Sequence, residues 1–283
     1  MTDTPETPPE TKAKPKRAAT IAKIAGLTLA FIAALLLLVV WGLDSGAGKG
    51  FLIDRINGLK FDNGLKISVG RIDGSLYKRA VIRDIKISDT KGVFAQSPAV
   101  TLDWRPFAYL NKHIDVRELS SPRIDVLRRP EFKATPKKAS EPFKLPDLKI
   151  DIAKLSVDKI NLSQGVAGDA QTLTLSGDAH LKKGQILINT AASSTRADRV
   201  ALKIDATPKQ NRLIIDGLLI APKDGAVIAL IGLNDALTVT AKGRGNWQVW
   251  DGGIEGYLGD NGLVDLALTG RDGTFTAKGA VRP

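Results

Sequence analysis

Leu173-Thr174-Leu175-Ser176-Gly177-Asp178-Ala179-His180-Leu181 is the stretch whose reading decides the fold. Leu173, Leu175, Gly177, Ala179 and Leu181 fall on alternate positions, with Thr174, Ser176, Asp178 and His180 between them. A period of two describes a strand with one apolar and one polar face. The same period recurs on both sides of this stretch. Before it come Leu65, Ile67 and Val69, then Ile85 and Ile87, Val100, Leu102 and Trp104, Ile114 and Val116, and Ile124 and Val126. Ile150 and Ile152 read as one strand, and Leu155 and Val157 as the next. After it come Ile186 and Ile188, Val200, Leu202 and Ile204, then Leu213, Ile215, Gly217 and Leu219. Leu237, Val239 and Ala241 follow, then Trp247 and Val249, Leu266 and Leu268, and finally Phe275, Ala277 and Val281.

Asp-Gly and Asn-Gly pairs tolerate the positive φ of tight turns. They punctuate the strands at Asp73-Gly74, Asp224-Gly225, Asp251-Gly252, Asn261-Gly262 and Asp272-Gly273. Short strands between frequent turn signals predict an all-β, antiparallel fold. Short helical pieces are expected only at residues 51–59, with Phe51, Leu52 and Ile56 on one side, at 107–111 and at 226–233. The pattern leaves open what covers the apolar faces. Two sheets can pack as a sandwich, which is the simplest solution. A transmembrane barrel turns those faces to lipid. A long sheet can also curl around its own apolar face and leave a groove.

Residues 24–43 are of another kind: uncharged, with Thr28 the one polar side chain. Ile24 opens the run, Leu36 lies in its Leu-rich middle and Trp41 sits near its far end, where an indole favours the membrane boundary. As a helix the run spans about 30 Å, the thickness of a bilayer's hydrocarbon core. It is longer than the apolar region of a signal peptide, and Ser45-Gly46-Ala47 is a weak cleavage site. The reading is a retained transmembrane anchor. Lys12, Lys14, Lys16, Arg17 and Lys23 precede it, while only Lys49 and Arg55 follow at similar distance. Positive charge stays inside, so the N-terminus is cytoplasmic and the bulk is exported, in a bacterium to the periplasm. An uncleaved helix of this kind fits an outer-membrane barrel poorly. The chain then divides into a disordered cytoplasmic tail (1–23), the anchor (24–43), a first β segment (44–129), a Pro- and Lys-rich linker (130–146) and a second β segment (147–283).

The formal net charge is +11, of which the tail carries +2. A basic surface suits anionic headgroups or other polyanions, but export and the lack of any nucleic-acid module exclude nucleic acid as a partner. With no cysteine there is no disulfide framework and no thiolate metal site. His113 and His180 lie in separate parts of the sequence, outside any metal-ligand spacing. No nucleophile elbow is present. Asp84, Asp103 and Asp115 fall on polar strand faces. Residues 45–50 lack the spacing of a phosphate loop and read as a flexible hinge. Neither catalysis nor a cofactor nor a metal is expected.

Gly70-Arg71-Ile72-Asp73-Gly74-Ser75-Leu76 is followed by Ile82-Arg83-Asp84-Ile85, Ser88-Asp89 and Gly92-Val93. Leu102-Asp103-Trp104-Arg105-Pro106 and Val126-Leu127-Arg128-Arg129-Pro130 come next. That order resembles the N-terminal part of the TamB family, the inner-membrane subunits of the translocation and assembly module, within the wider AsmA-like group. The likeness covers the anchor and residues 51–130; residues 147–283 match in strand character alone. It implies a long curled sheet, a β-taco, held at one end by the transmembrane helix. It also implies an apolar groove that carries phospholipid, assists outer-membrane protein assembly, or both. On that basis Leu102, Trp104, Leu173, Leu175, Val200, Leu202, Ile204, Leu213 and Ile215 are the groove candidates, with membrane phospholipid as the ligand. Family members are several times longer and end in a domain that engages an Omp85-type barrel. This chain is expected to be either a fragment without that region or a shorter relative. The competing expectation is a membrane-anchored β-sandwich scaffold that carries no lipid.

Overall fold

The structure is a computed structural model that describes residues 42, 44–59, 61–132, 148–182, 185–207, 210–246, 248–272 and 274–282. The expected tail, the apolar run apart from Gly42, and all of the expected linker but its first residues lie outside the described residues. Among the described residues no helix is long and apolar enough to cross a membrane. The chain forms two compact units, Met1–Gly48 and Lys49–Pro283, and the second holds the sheet.

Fifteen strands make one long curled sheet. They are β1 (Lys66–Ser68), β2 (Arg71–Gly74), β3 (Arg79–Asp89), β4 (Gly92–Trp104), β5 (His113–Ser121), β6 (Ile124–Val126), β7 (Lys149–Leu162) and β8 (Gln171–Lys182). Then follow β9 (Gln185–Ser194), β10 (Arg199–Thr207), β11 (Arg212–Ala221), β12 (Leu237–Gly245), β13 (Val249–Leu258), β14 (Asn261–Arg271) and β15 (Thr274–Val281). The path runs from β1 to β15 with nearly every strand beside its sequence neighbour, and it does not close. Among the described residues there is one sheet rather than the two of a sandwich.

Wholly antiparallel pairing fails at one joint. β7 runs parallel to β5 and β6, with Val116 opposite Ile152 and Ile124 opposite Ile160. A hairpin cannot join parallel strands, so a long crossover is required, and the chain between β6 and β7 supplies it. The two short strands expected from Ile150 to Val157 are one strand. β-Bulges between Ile152 and Leu155 and between Val157 and Ile160 shift the alternation without ending the ladder.

Helix α1 (Gly46–Asn57) takes in the residues expected to form a hinge. Ile53 and Ile56 pack on Val69, Ile72 and Ala80. Phe51 is 63% exposed, so the helix rests on a different side from the one expected. Asn57 accepts from the Val69 N–H at 2.7 Å and donates to its carbonyl at 3.2 Å, which replaces a strand partner there. A 3-10 helix spans Pro106–Asn111, and helix α2 spans Ala226–Ile231, both where short helical pieces were expected.

Candidate functional site

Residues directly opposite in a ladder share a face. One such row runs Leu102, Leu119, Leu155, Gly177, Thr190, Leu202, Gly217, Ala241, Ile254 and Leu266. Beside it lies Trp104, Val116, Ile152, Ala179, Ile188, Ile204 and Ile215. On the other side lies Val157, Leu175, Ala192, Val200, Leu219 and Val239. Leu213 follows Leu181, Ile186 and Ala206 in a further row, and Leu173 pairs with Ile160. All nine groove candidates therefore share one face of the sheet. No residue of these rows is charged. At about 4.8 Å per strand, the first row runs for roughly 45 Å.

Glycine within a strand can mark a close approach of backbones, and Gly177 does so here. A Cβ on Gly177 would lie 2.5 Å from the Asn189 carbonyl oxygen.

The apolar face is covered at one margin and open in the middle. At the margin, α2 and the β7–β8 turn lie over it. Ala226 and Ile228 are 0% and 2% exposed. Ala226 packs with Leu162, Val166 and Ala167, and Ile228 with Ala221 and Leu237. Buried Asp198, at the start of β10, holds the helix in place by accepting from the Ala226 N–H at 2.8 Å and the Val227 N–H at 3.3 Å. In the middle, Val200 is 38% exposed, and Leu175, Leu202, Ile204 and Ile215 are half-buried. Leu102, Trp104 and Leu173 are also half-buried; only Leu213 of the nine is buried. The Trp104 indole donates to the Leu76 carbonyl at 2.8 Å. Ile24, Leu36 and Trp41 lie outside the described residues.

The opposite margin is closed by a residue that the periodicity reading passed over. Trp250 is 3% exposed and lies flat over β12, donating from its indole to the Leu213 carbonyl at 3.0 Å. Gly243 makes room for it: a Cβ there would lie 1.8 Å from the ring. Phe275 meets Trp250 edge-on, with centroids 5.7 Å apart. Reading Trp247 and Val249 as the inward pair was out of phase by one residue, which reverses every side chain. Val249 is 50% exposed, and Trp247 lies outside the described residues. Asp251-Gly252 is not a turn but part of β13, opposite Arg244 and Gly243.

The other face of the sheet carries the charged side chains, with Leu187, Ile214, Leu218 (36% exposed) and Ile220 interspersed among them. Lys203 stands opposite Asn189 and Asp216. Both histidines meet there on one carboxylate, despite their separation in sequence. His113 Nε2 is 2.6 Å from Asp151 Oδ2, and His180 Nδ1 is 2.8 Å from Asp151 Oδ1. Burial pushes the Asp151 carboxyl up, but the hydrogen bonds from His180 and His113 outweigh it, and its pKa lies below the ordinary value. The cluster bridges β5, β7 and β8 across the parallel joint. Its facing nitrogens are engaged by Asp151, and among the described residues no three His, Cys, Asp or Glu side chains converge to hold a metal.

No family model matches the sequence, and no curated protein or solved structure matches it.

Proposed function

We propose that this chain is an inner-membrane-anchored periplasmic protein of outer-membrane biogenesis that carries phospholipid along the apolar face of its sheet. One observation carries the reading: an uncharged apolar face crosses most of the sheet and stays partly exposed in its middle, with no second sheet on it among the described residues. A continuous apolar face left partly in water marks a surface meant to be covered. An acyl chain spans half a bilayer core, about 15 Å, so a face roughly 45 Å long accommodates it. Each methylene laid against that face contributes about 0.8 kcal/mol. Headgroups stay in water at the open side. The likeness to the TamB family adds the setting, outer-membrane biogenesis, and an Omp85-type barrel as a partner.

The test is Leu202→Asp. On an open face the carboxylate stays partly hydrated, so the protein folds; it also repels acyl chains and interrupts their path. The expected result is a protein present at its normal level, with native circular dichroism, in cells whose outer membrane has become permeable to detergent. Normal outer-membrane integrity with that variant as the sole copy would contradict the proposal.

A further inference from the structure

The 3-10 helix Pro106–Asn111, between β4 and β5, presents the sharpest exposed apolar feature of the described surface. Phe107 is 56% exposed, Tyr109 63% and Leu110 81%, the last the highest value among the large apolar side chains described. The turn that carries them is held by its backbone, and Phe107 by its side chain as well. The turn closes on Lys112 in the left-handed region (φ 52°), whose N–H reaches the Ala108 and Tyr109 carbonyls. Phe107 stacks on Tyr77 at 5.5 Å with the rings nearly parallel. On one side the Trp104 N–H donates to the Lys78 carbonyl at 3.0 Å, and on the other the Lys149 N–H donates to the Lys112 carbonyl at 2.9 Å.

Cations flank this tip: residues 104–114 contain Arg105 and Lys112 and no carboxylate, and exposed Lys78 lies on the adjoining turn. His113 is engaged by Asp151. Arg105 pairs with Asp115 at 2.8 Å just beyond. Phenylalanine, leucine and an amphipathic tyrosine ringed by lysine and arginine match a bilayer surface: the apolar tips enter the acyl boundary while the cations meet anionic headgroups. A protein partner of ordinary size would instead present carboxylates to these cations across a wider apolar area. Lys49 donates to the Gly74 carbonyl, at the turn that carries Tyr77.

We infer that the tip formed by Phe107, Tyr109 and Leu110 inserts into an anionic bilayer surface, and sets the N-terminal end of the apolar face against the membrane from which it takes lipid. The inference rests on the proposed anchoring, so its test reads the two separately. The chain has no cysteine, which permits single labelling sites in the full chain. Leu110→Cys, Leu36→Cys and, on exposed β15, Thr276→Cys each carry the fluorophore NBD. The labelled proteins are reconstituted in vesicles of phosphatidylethanolamine and phosphatidylglycerol. The expected result is blue-shifted emission at position 110, with iodide quenching several-fold weaker than at position 276. Replacing phosphatidylglycerol with phosphatidylcholine should weaken that protection. A water-like position 110 beside a lipid-buried position 36 overturns the tip and leaves the anchor standing. A buried position 110 beside a water-like position 36 does the reverse. Shielding of position 110 that is already present in detergent and grows with protein concentration would mean contact between copies, and also overturns the inference.

Discussion

The apolar face behaves differently under α2 and a few strands away. Beneath the helix, Ala221 is 1% exposed and Leu237 7%, and they form an ordinary core with Ile228. In the middle, Val200 is 38% exposed although it lies in the same row as Leu219, which packs against that core. Side chains of one kind, on one face, thus serve two ends according to what lies over them. Where the chain supplies its own cover, burial stabilises the fold. Where it supplies none, the same chemistry remains available to a ligand. Trp250 makes the point from the far margin, where the sheet gives up side chains at Gly243 and Gly252 to receive an indole from its own chain.

Substitutions should separate the covered parts from the open one. Trp250→Ala removes the largest buried side chain of its margin and should cost about 4 kcal/mol, read as a lowered urea midpoint. A loss below about 1 kcal/mol would mean that the indole does not seal that margin. Ile228→Ala should cost about 3 kcal/mol, because α2 cannot collapse into the space it leaves. Leu202→Ala, in the open middle, should cost only about 1 kcal/mol, since its side chain is already partly in water and no closed cavity forms. Equal losses at positions 228 and 202 would erase the distinction between cover and opening.

Acid provides a gentler probe of the joints around the face. Arg128 holds the Asp89 carboxyl far below the ordinary range, against the penalty of its burial, with help from the Glu131 and Lys91 N–H groups. A depressed folded-state pKa contributes stability above the unfolded value, near 4, and that contribution is lost as pH falls through the folded value. Stability should therefore begin to decline below about pH 4, and Asp89→Asn should flatten that part of the curve. Asp151→Asn should flatten it less, because the net downward shift there is what remains after burial has opposed the two histidines. A wild-type urea midpoint that does not change as the pH falls below about 4 would exclude both carboxylates as acid-sensitive joints.

Much of this was legible in the sequence. Alternation between apolar and polar residues predicts the strands and puts the nine candidates on one side of them, since side-chain direction along a strand is a local property. The joint between β5 and β7 was not legible: which distant strands pair depends on a crossover, and nothing local marks it. The meeting of His113 and His180 on Asp151 follows from that joint and was hidden with it. Trp250 was missed for another reason. Asp251-Gly252-Gly253 carries the composition of a turn, and the glycine at position 252 is there because an indole lies above it. A local signal existed all the same: Trp250, Gly252, Ile254 and Gly256 keep a period of two through the supposed turn.

The central claim is that the middle of the apolar face is open to lipid, and neighbouring positions on a single strand test it most directly. A photo-crosslinking residue is placed at Leu202 or Leu175 on the apolar face, and at Lys203 or Thr174 on the opposite one. After irradiation of cells, the purified protein is examined for attached phospholipid by mass spectrometry. The account predicts phospholipid adducts at 202 and 175 and little or none at 203 and 174, because one step along a strand turns the side chain to the other side. Adducts at none of the four positions, or equally at all of them, would contradict it.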